Sequence, residues 1–124
     1  MEKITLEVVS KTDAITAMKA AHLVDKHAQF TPETLAENGQ CFKLTTAGGE
    51  GVFVAEKRGN HLWIHGAAGV KSSGLTGVGL VVIEALAKEC GAEFVAFETA
   101  RAGLAKLSKK QGYKVAGMIM KKRV

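Results

Sequence analysis

Proline, tryptophan and tyrosine each occur once in the 124 residues, cysteine occurs twice, and aromatic residues make up only 6%. A single proline beside 47% hydrophobic residues excludes a collagen-like or intrinsically disordered chain. Two cysteines, Cys41 and Cys90, give no disulfide framework and read as buried apolar thiols of a reducing compartment. The opening Met1-Glu2-Lys3-Ile4-Thr5-Leu6-Glu7 lacks the apolar core of a signal peptide, so a cytoplasmic location is expected. Long apolar runs are missing too. Even Val78–Ile83 is cut by Glu84, far short of the ~20 residues that a membrane span requires, so the expectation is a soluble protein with no membrane partner. What remains fits one compact domain over residues 1–124. A chain of this size buries roughly two thirds of its unfolded surface and needs neither disulfide nor structural metal.

Acid is absent from the last quarter. Arg101, Lys106, Lys109, Lys110, Lys114, Lys121, Lys122 and Arg123 stand there without an Asp or Glu, so this end carries +8 although the whole chain carries only +5. Such a gradient favours an anionic partner, whether a phosphorylated small molecule, a nucleic acid or an acidic protein surface. The plainer reading is a solvated lysine-rich helix and tail. Aromatic residues for base stacking are missing there except for Tyr113, so no specific nucleic-acid partner is expected.

Ile4-Thr5-Leu6-Glu7-Val8 alternates apolar and polar residues, as a half-buried strand does. A helix capped by Ser10 or Thr12 follows, with Ile15, Met18, Ala21 and Leu23 at near-helical spacing to about Lys26. Thr31-Pro32-Glu33 opens a shorter helix, since threonine caps well and proline suits the first helical position, and Gly39 after Asn38 is its expected stop. Three antiparallel strands are expected next: Cys41–Thr46, Val52–Lys57 and His61–Ala67, joined by glycine-bearing turns. Beyond Ala67 the pattern becomes a helix over Leu80–Cys90, apolar on nearly every side and stopped by Gly91, then a strand over Glu93–Thr99. A helix over Ala102–Gln111 ended by Gly112 and a last strand over Tyr113–Lys122 complete the chain.

The densest motif is Gly69-Val70-Lys71-Ser72-Ser73-Gly74-Leu75-Thr76-Gly77-Val78-Gly79. A strand, glycine loop and helix start bring unhindered backbone amides and a positive dipole end to one place, which suits a phosphate. The competing reading is a loop that only needs tight turns. A Walker A loop is excluded, because Val70 stands between Gly69 and Lys71 and the spacing fails. A dinucleotide fingerprint is disfavoured by the order of Gly74, Gly77 and Gly79, although Glu98 falls where a ribose-binding acid would. The third phosphate reading is an acyl-coenzyme A pyrophosphate loop.

Residues 40–124 resemble the GCN5-related N-acetyltransferase (GNAT) family. Its loop signature, Gln or Arg followed by x-x-Gly-x-Gly or Ala, is similar to Gly74-Leu75-Thr76-Gly77-Val78-Gly79, with Gly74 in place of the first residue. Its later signature is echoed by Arg101 to Tyr113: Leu107, Gly112 and Tyr113 fit, while Arg101 replaces an Asn, Leu104 an Ala, and Ser108 the Tyr that often serves as general acid. The stretch after Tyr113 is also short for the family's terminal hairpin. The resemblance implies an α+β domain whose mixed, largely antiparallel sheet is flanked by helices around a strand, glycine loop, helix and strand core that binds acyl-CoA. It implies acetyl-CoA or another acyl-CoA as co-substrate and a small-molecule or protein amine as acceptor. Amides of Leu75, Thr76, Gly77, Val78 and Gly79 would hold the pyrophosphate with Arg101 alongside, and the strand backbone at Gly66 and Ala67 would pair with the pantetheine.

Acyl transfer to an amine needs a base, an oxyanion donor and an acid for the leaving thiolate. His65 and Glu98, at the ends of neighbouring strands, are the candidate catalytic bases. Each could equally be an ordinary strand-end residue. No metal is expected: His61 and His65 on one strand lie about 13 Å apart, and His22 and His27 have no cysteine or acidic partners alongside. Neither cysteine has a catalytic signature, and Ser108 has no histidine beside it in sequence. Two functions follow. One is an N-acyltransferase. The other is a catalytically degenerate domain of the same fold, a phage-type or accessory protein acting through its basic C-terminal surface, as the departures at Gly74, Arg101 and Ser108 suggest. A homodimer is compatible with either.

Overall fold

The computed structural model describes residues 4–20, 31–70, 75–98, 102–117, 120, 122 and 123. Ser10 opens helix α1 (Lys11–Ala20) by accepting the amide of Asp13 at 3.1 Å. The expected continuation to Lys26 lies outside the described residues. Helix α2 (Pro32–Glu37) starts as its sequence predicts, with Thr31 Oγ1 accepting the Thr34 amide at 3.2 Å and Pro32 in the first position.

Strand β1 (Thr5–Val9) pairs antiparallel with β2 (Gln40–Thr46), which pairs with β3 (Gly49–Arg58), which pairs with β4 (His61–Val70). Helix α3 (Leu75–Glu89) then carries the chain over to β5 (Phe94–Phe97), parallel to β4, and helix α4 (Ala102–Lys110) follows. The sheet order is β1-β2-β3-β4-β5. This is the mixed, largely antiparallel α+β architecture that the sequence predicts.

One sheet face packs under α1 and α2, where Met18, Leu35, Ala36, Cys41 and Val54 are buried. The other packs under α3, where Phe53, Leu62, Ile64, Ile83 and Ala87 are buried and the Phe42 and Phe53 rings stack at 5.1 Å. Cys41 and Cys90 are both free thiols, and burial pushes the Cys41 thiol pKa up. Among the described residues no helix is long and apolar enough to cross a membrane.

Four expectations need correction. Helix α3 begins at Leu75 rather than Leu80, so Thr76 to Gly79 lie in helix, not in a loop. Its burial is one-sided: Leu80, Ile83 and Ala87 face the sheet, whereas Val81 is 61% exposed, because the sheet supplies apolar partners along only one stripe. Residues 113–117, 120, 122 and 123 form no strand, so the expected strand over Tyr113–Lys122 is absent from its described part. Val8 is exposed, because it sits on the outer strand, beyond the cover of α3.

Gly39 also works differently from the stop signal it resembles. Gly91 (φ +79°) and Gly112 (φ +93°) adopt the left-handed conformation that ends α3 and α4, but Gly39 does not. A side chain there would put its Cβ 2.4 Å from the Ala55 carbonyl oxygen, a backbone atom of the central strand that cannot yield. Gly39→Ala is therefore expected to cost about 1–3 kcal/mol, the range for overpacked sites. Urea denaturation checks this.

Candidate active site

The hairpin between β3 and β4 fixes the site. Its two-residue turn at Gly59 and Asn60, with Gly59 at φ +57°, sets Arg58 opposite His61 and Glu56 opposite Trp63. The register then shifts by one: Ala55 faces Ile64 but Val54 faces Gly66. His65 is the extra residue, an inserted bulge of β4 that re-aims its side chain. Its imidazole Nε2 lies 2.9 Å from Glu56 Oε1, and the side chain is only 10% exposed. The same carboxylate oxygen accepts from Arg58 Nε at 2.6 Å. Those two bonds, His65 first and Arg58 second, hold the Glu56 carboxyl below the usual range, so it is ionised at neutral pH.

At the same level β4 and β5 part. Their parallel pairing runs from His61 with Phe94 to Ile64 with Phe97, where β5 ends, while β4 continues to Val70. Among the described residues nothing pairs with residues 65–70 of β4 on that side. Glu98, exposed, is the first residue beyond β5 and His65 the first beyond the paired part of β4, so the register brings both candidate bases to the mouth of this gap. Gly66 and Ala67 follow within β4. A Cβ at Gly66 would lie 3.0 Å from Leu35 Cδ1 of α2, so glycine lets that helix close over the strand.

Leu75, Thr76, Gly77, Val78 and Gly79 form the start of α3, whose first amides have no partner within the helix. This correction strengthens the phosphate-binding chemistry. Amides in a first helical turn are aligned, whereas those of an irregular loop need not be. Gly79 is not demanded by packing, since a Cβ there would meet only Leu44 Cδ2, at 3.9 Å. Residues 71–74 and Arg101 lie outside the described residues.

Ser108, where the resemblance looks for a tyrosine, is 3% exposed on the inner side of α4, and its carbonyl accepts the amides of Gln111 and Tyr113. The Tyr113 ring lies 5.5 Å from that of Phe97, at the end of β5. Burial first and the Glu84 carboxylate second push its phenol pKa up to about 12, so it stays protonated throughout the physiological range. The residue beside a candidate base that sequence reading missed is Glu56. The tight turn at Arg58-Gly59-Asn60 was the available signal for its face, but the bulge that brings His65 to it has no local signature.

No protein-family model and no curated protein sequence matches the chain. Solved structures do match. Similarity to a ribosomal-protein-alanine N-acetyltransferase from Brucella melitensis spans 98% of this chain and 99% of that one, at 13% identity and a TM-score of 0.64. An aminoglycoside N-acetyltransferase in complex with CoA aligns over 100% of this chain and 96% of that one, at 13% identity and a TM-score of 0.60. The glucosamine-6-phosphate N-acetyltransferase of Arabidopsis thaliana aligns over 98% of both chains, at 12% identity and a TM-score of 0.55. With its antiparallel strands, single parallel crossover and near-complete coverage by these structures, this chain has the fold of the GCN5-related N-acetyltransferases.

Proposed function

We propose that this chain is a single-domain cytoplasmic N-acyltransferase that moves an acetyl or other acyl group from acyl-CoA to an amine. The observation that carries this reading is the parting of β4 from β5 after Ile64 and Phe97, directly beside His65. Among the described residues it leaves strand amides of β4 without a neighbouring strand, open to an extended, amide-bearing ligand such as pantetheine. The start of α3 offers its free amides to a pyrophosphate. Two of the similar structures hold CoA or a CoA-linked bisubstrate analogue.

Bound acyl-CoA would supply an activated thioester. The backbone of β4 at Gly66 and Ala67 would pair with the pantetheine, and the one N–H of the two that faces the gap would donate to the carbonyl oxygen as negative charge develops on it. Leu75 to Gly79 hold the pyrophosphate through backbone amides, and Arg101 adds a cation. His65 takes the proton from the incoming ammonium, with Glu98 as the second candidate at the same mouth. The amine nitrogen bonds to the acyl carbon as the carbon–sulfur bond breaks, so an ammonium and a thioester become an amide, a thiol and one released proton. Ser108 does not span the reach of a tyrosine phenol, which leaves that step to water or to Tyr113, whose buried phenol is protonated. The acceptor is a small-molecule or protein amine. The similar structures span a protein, aminoglycosides and an amino sugar phosphate, so the fold alone does not select among them.

Acetyl-CoA at 100 times its dissociation constant is expected to stabilise the fold by about 2.7 kcal/mol. Thiol release on adding amines is the companion readout. The alternative, a degenerate domain acting through its basic surface, draws on Lys106, Lys109, Lys110 and Lys114, which are all exposed. Absence of any shift with acyl-CoA, together with polyanion binding that falls steeply with salt, would favour it.

A further inference from the structure

Glu56 and Arg58 take no part in the proposed chemistry, yet Glu56 meets His65 in a part-buried contact and Arg58 bonds the same carboxylate oxygen from its exposed side. An ionised carboxylate can only accept a hydrogen bond, so the imidazole nitrogen 2.9 Å from Glu56 Oε1 must be the one that carries a proton. In the neutral ring that leaves a single basic lone pair, on Nδ1. Because Nε2 is held by β3 and the backbone of His65 by the bulge, the ring has no freedom to present its other nitrogen.

We propose that Glu56 is the positioning residue for His65: it fixes the Nε2–H tautomer so that Nδ1 is the basic atom, while Arg58 braces the carboxylate. This rests on the acyl-transfer reading for its catalytic consequence but not for its geometry. Among the described residues, the charged and titratable groups on the surrounding elements include Glu56 and Arg58 on β3, His61 on β4 and Glu98 beyond β5, while between α1 and α2 Lys11 pairs with Glu37 and Lys19 with Glu33. The carboxylate 2.9 Å away is the hydrogen-bond partner that orients the ring.

The two parts of the proposal are read separately. Imidazole nitrogen NMR of the whole protein reports the His65 tautomer and its titration without any substrate. The expected result is a protonated Nε2 and a bare Nδ1 at high pH. Glu56→Gln, which keeps the size of the side chain but can donate as well as accept, should weaken that tautomer preference, so that part of the population carries its proton on Nδ1. A bare Nε2 in the wild type, or an unchanged tautomer ratio in Glu56→Gln, overturns the positioning role whatever the protein catalyses. In the transfer assay Glu56→Gln should lower kcat about 10- to 100-fold, the range for carboxylates that orient metal-bound histidines, with KM for acetyl-CoA unchanged. Glu56→Asp should recover part of the rate, and adding Glu56→Gln to His65→Ala should cost nothing further. Full additivity in that double variant would show that Glu56 acts through the fold instead. If the NMR result holds while the wild-type protein transfers no acyl group, the positioning stands and the acyl-transfer reading fails.

Discussion

His65→Ala is expected to lower kcat by 10²–10⁴-fold, the contribution of a well-placed general base, with little change in KM for acetyl-CoA. The expectation follows from where the bulge puts the ring. His65 is the first β4 residue beyond the strand pairing that ends at Ile64, so its backbone stands at the mouth of the gap while its Nε2 is held 2.9 Å from Glu56 on β3. Loss of the side chain removes a part-buried hydrogen bond to the Glu56 carboxylate but no member of either apolar core, so folding should change by about 1.5–3 kcal/mol. Glu98 provides the contrast. It is exposed and has no fixed partner among the described residues, and Glu98→Gln should cost less than tenfold. Steady-state kinetics on both variants, with circular dichroism confirming the fold, decide the assignment. A large loss in Glu98→Gln with a normal rate in His65→Ala would transfer the role of base to Glu98 and leave His65 a structural residue.

The features legible in the sequence were those whose physics is local. Thr31-Pro32 marks a helix start because both residues act within one turn, and the cap is found where the sequence places it. Gly91 and Gly112 end helices because each sits at a position that only a left-handed residue closes well. The hairpin turn at Gly59-Asn60 was legible for the same reason. Misreadings arose where local and tertiary preferences disagree. Gly77 and Gly79 look like loop residues on propensity, but tertiary contact carries helix α3 through them. Gly39 looks like a helix stop, yet its need is for space beside the Ala55 carbonyl, which belongs to a strand 16 residues further on. The bulge at His65 and its contact with Glu56 depend on pairing between two strands, and no window of a few residues encodes that. Thus both candidate bases could be nominated from sequence, but Glu56, the side chain that meets His65, could not.

Thr76→Pro should weaken acetyl-CoA binding about 10- to 100-fold, consistent with losing one hydrogen bond to a charged group. The test exploits helix geometry. The amide of Thr76, in the first turn of α3, has no acceptor within the helix, so proline removes a donor that the helix itself does not use. At a concentration that gives about 2.7 kcal/mol of stabilisation in the wild type, the variant should retain roughly 0.4–1.4 kcal/mol. Its melting temperature without ligand should stay close to the wild-type value, because proline is well tolerated at a helix start. Gly79→Ala is the matched control. Its Cβ would meet only Leu44 Cδ2, at 3.9 Å, and its own amide is retained. Replacing glycine inside a helix should then stabilise the unliganded protein by up to about 1 kcal/mol and leave the acetyl-CoA increment intact. Thermal denaturation of the two variants with and without acetyl-CoA gives four numbers that separate fold from ligand. If Thr76→Pro keeps the full increment, the pyrophosphate is not held by the start of α3, and the glycines of that segment serve only the passage from β4 into the helix.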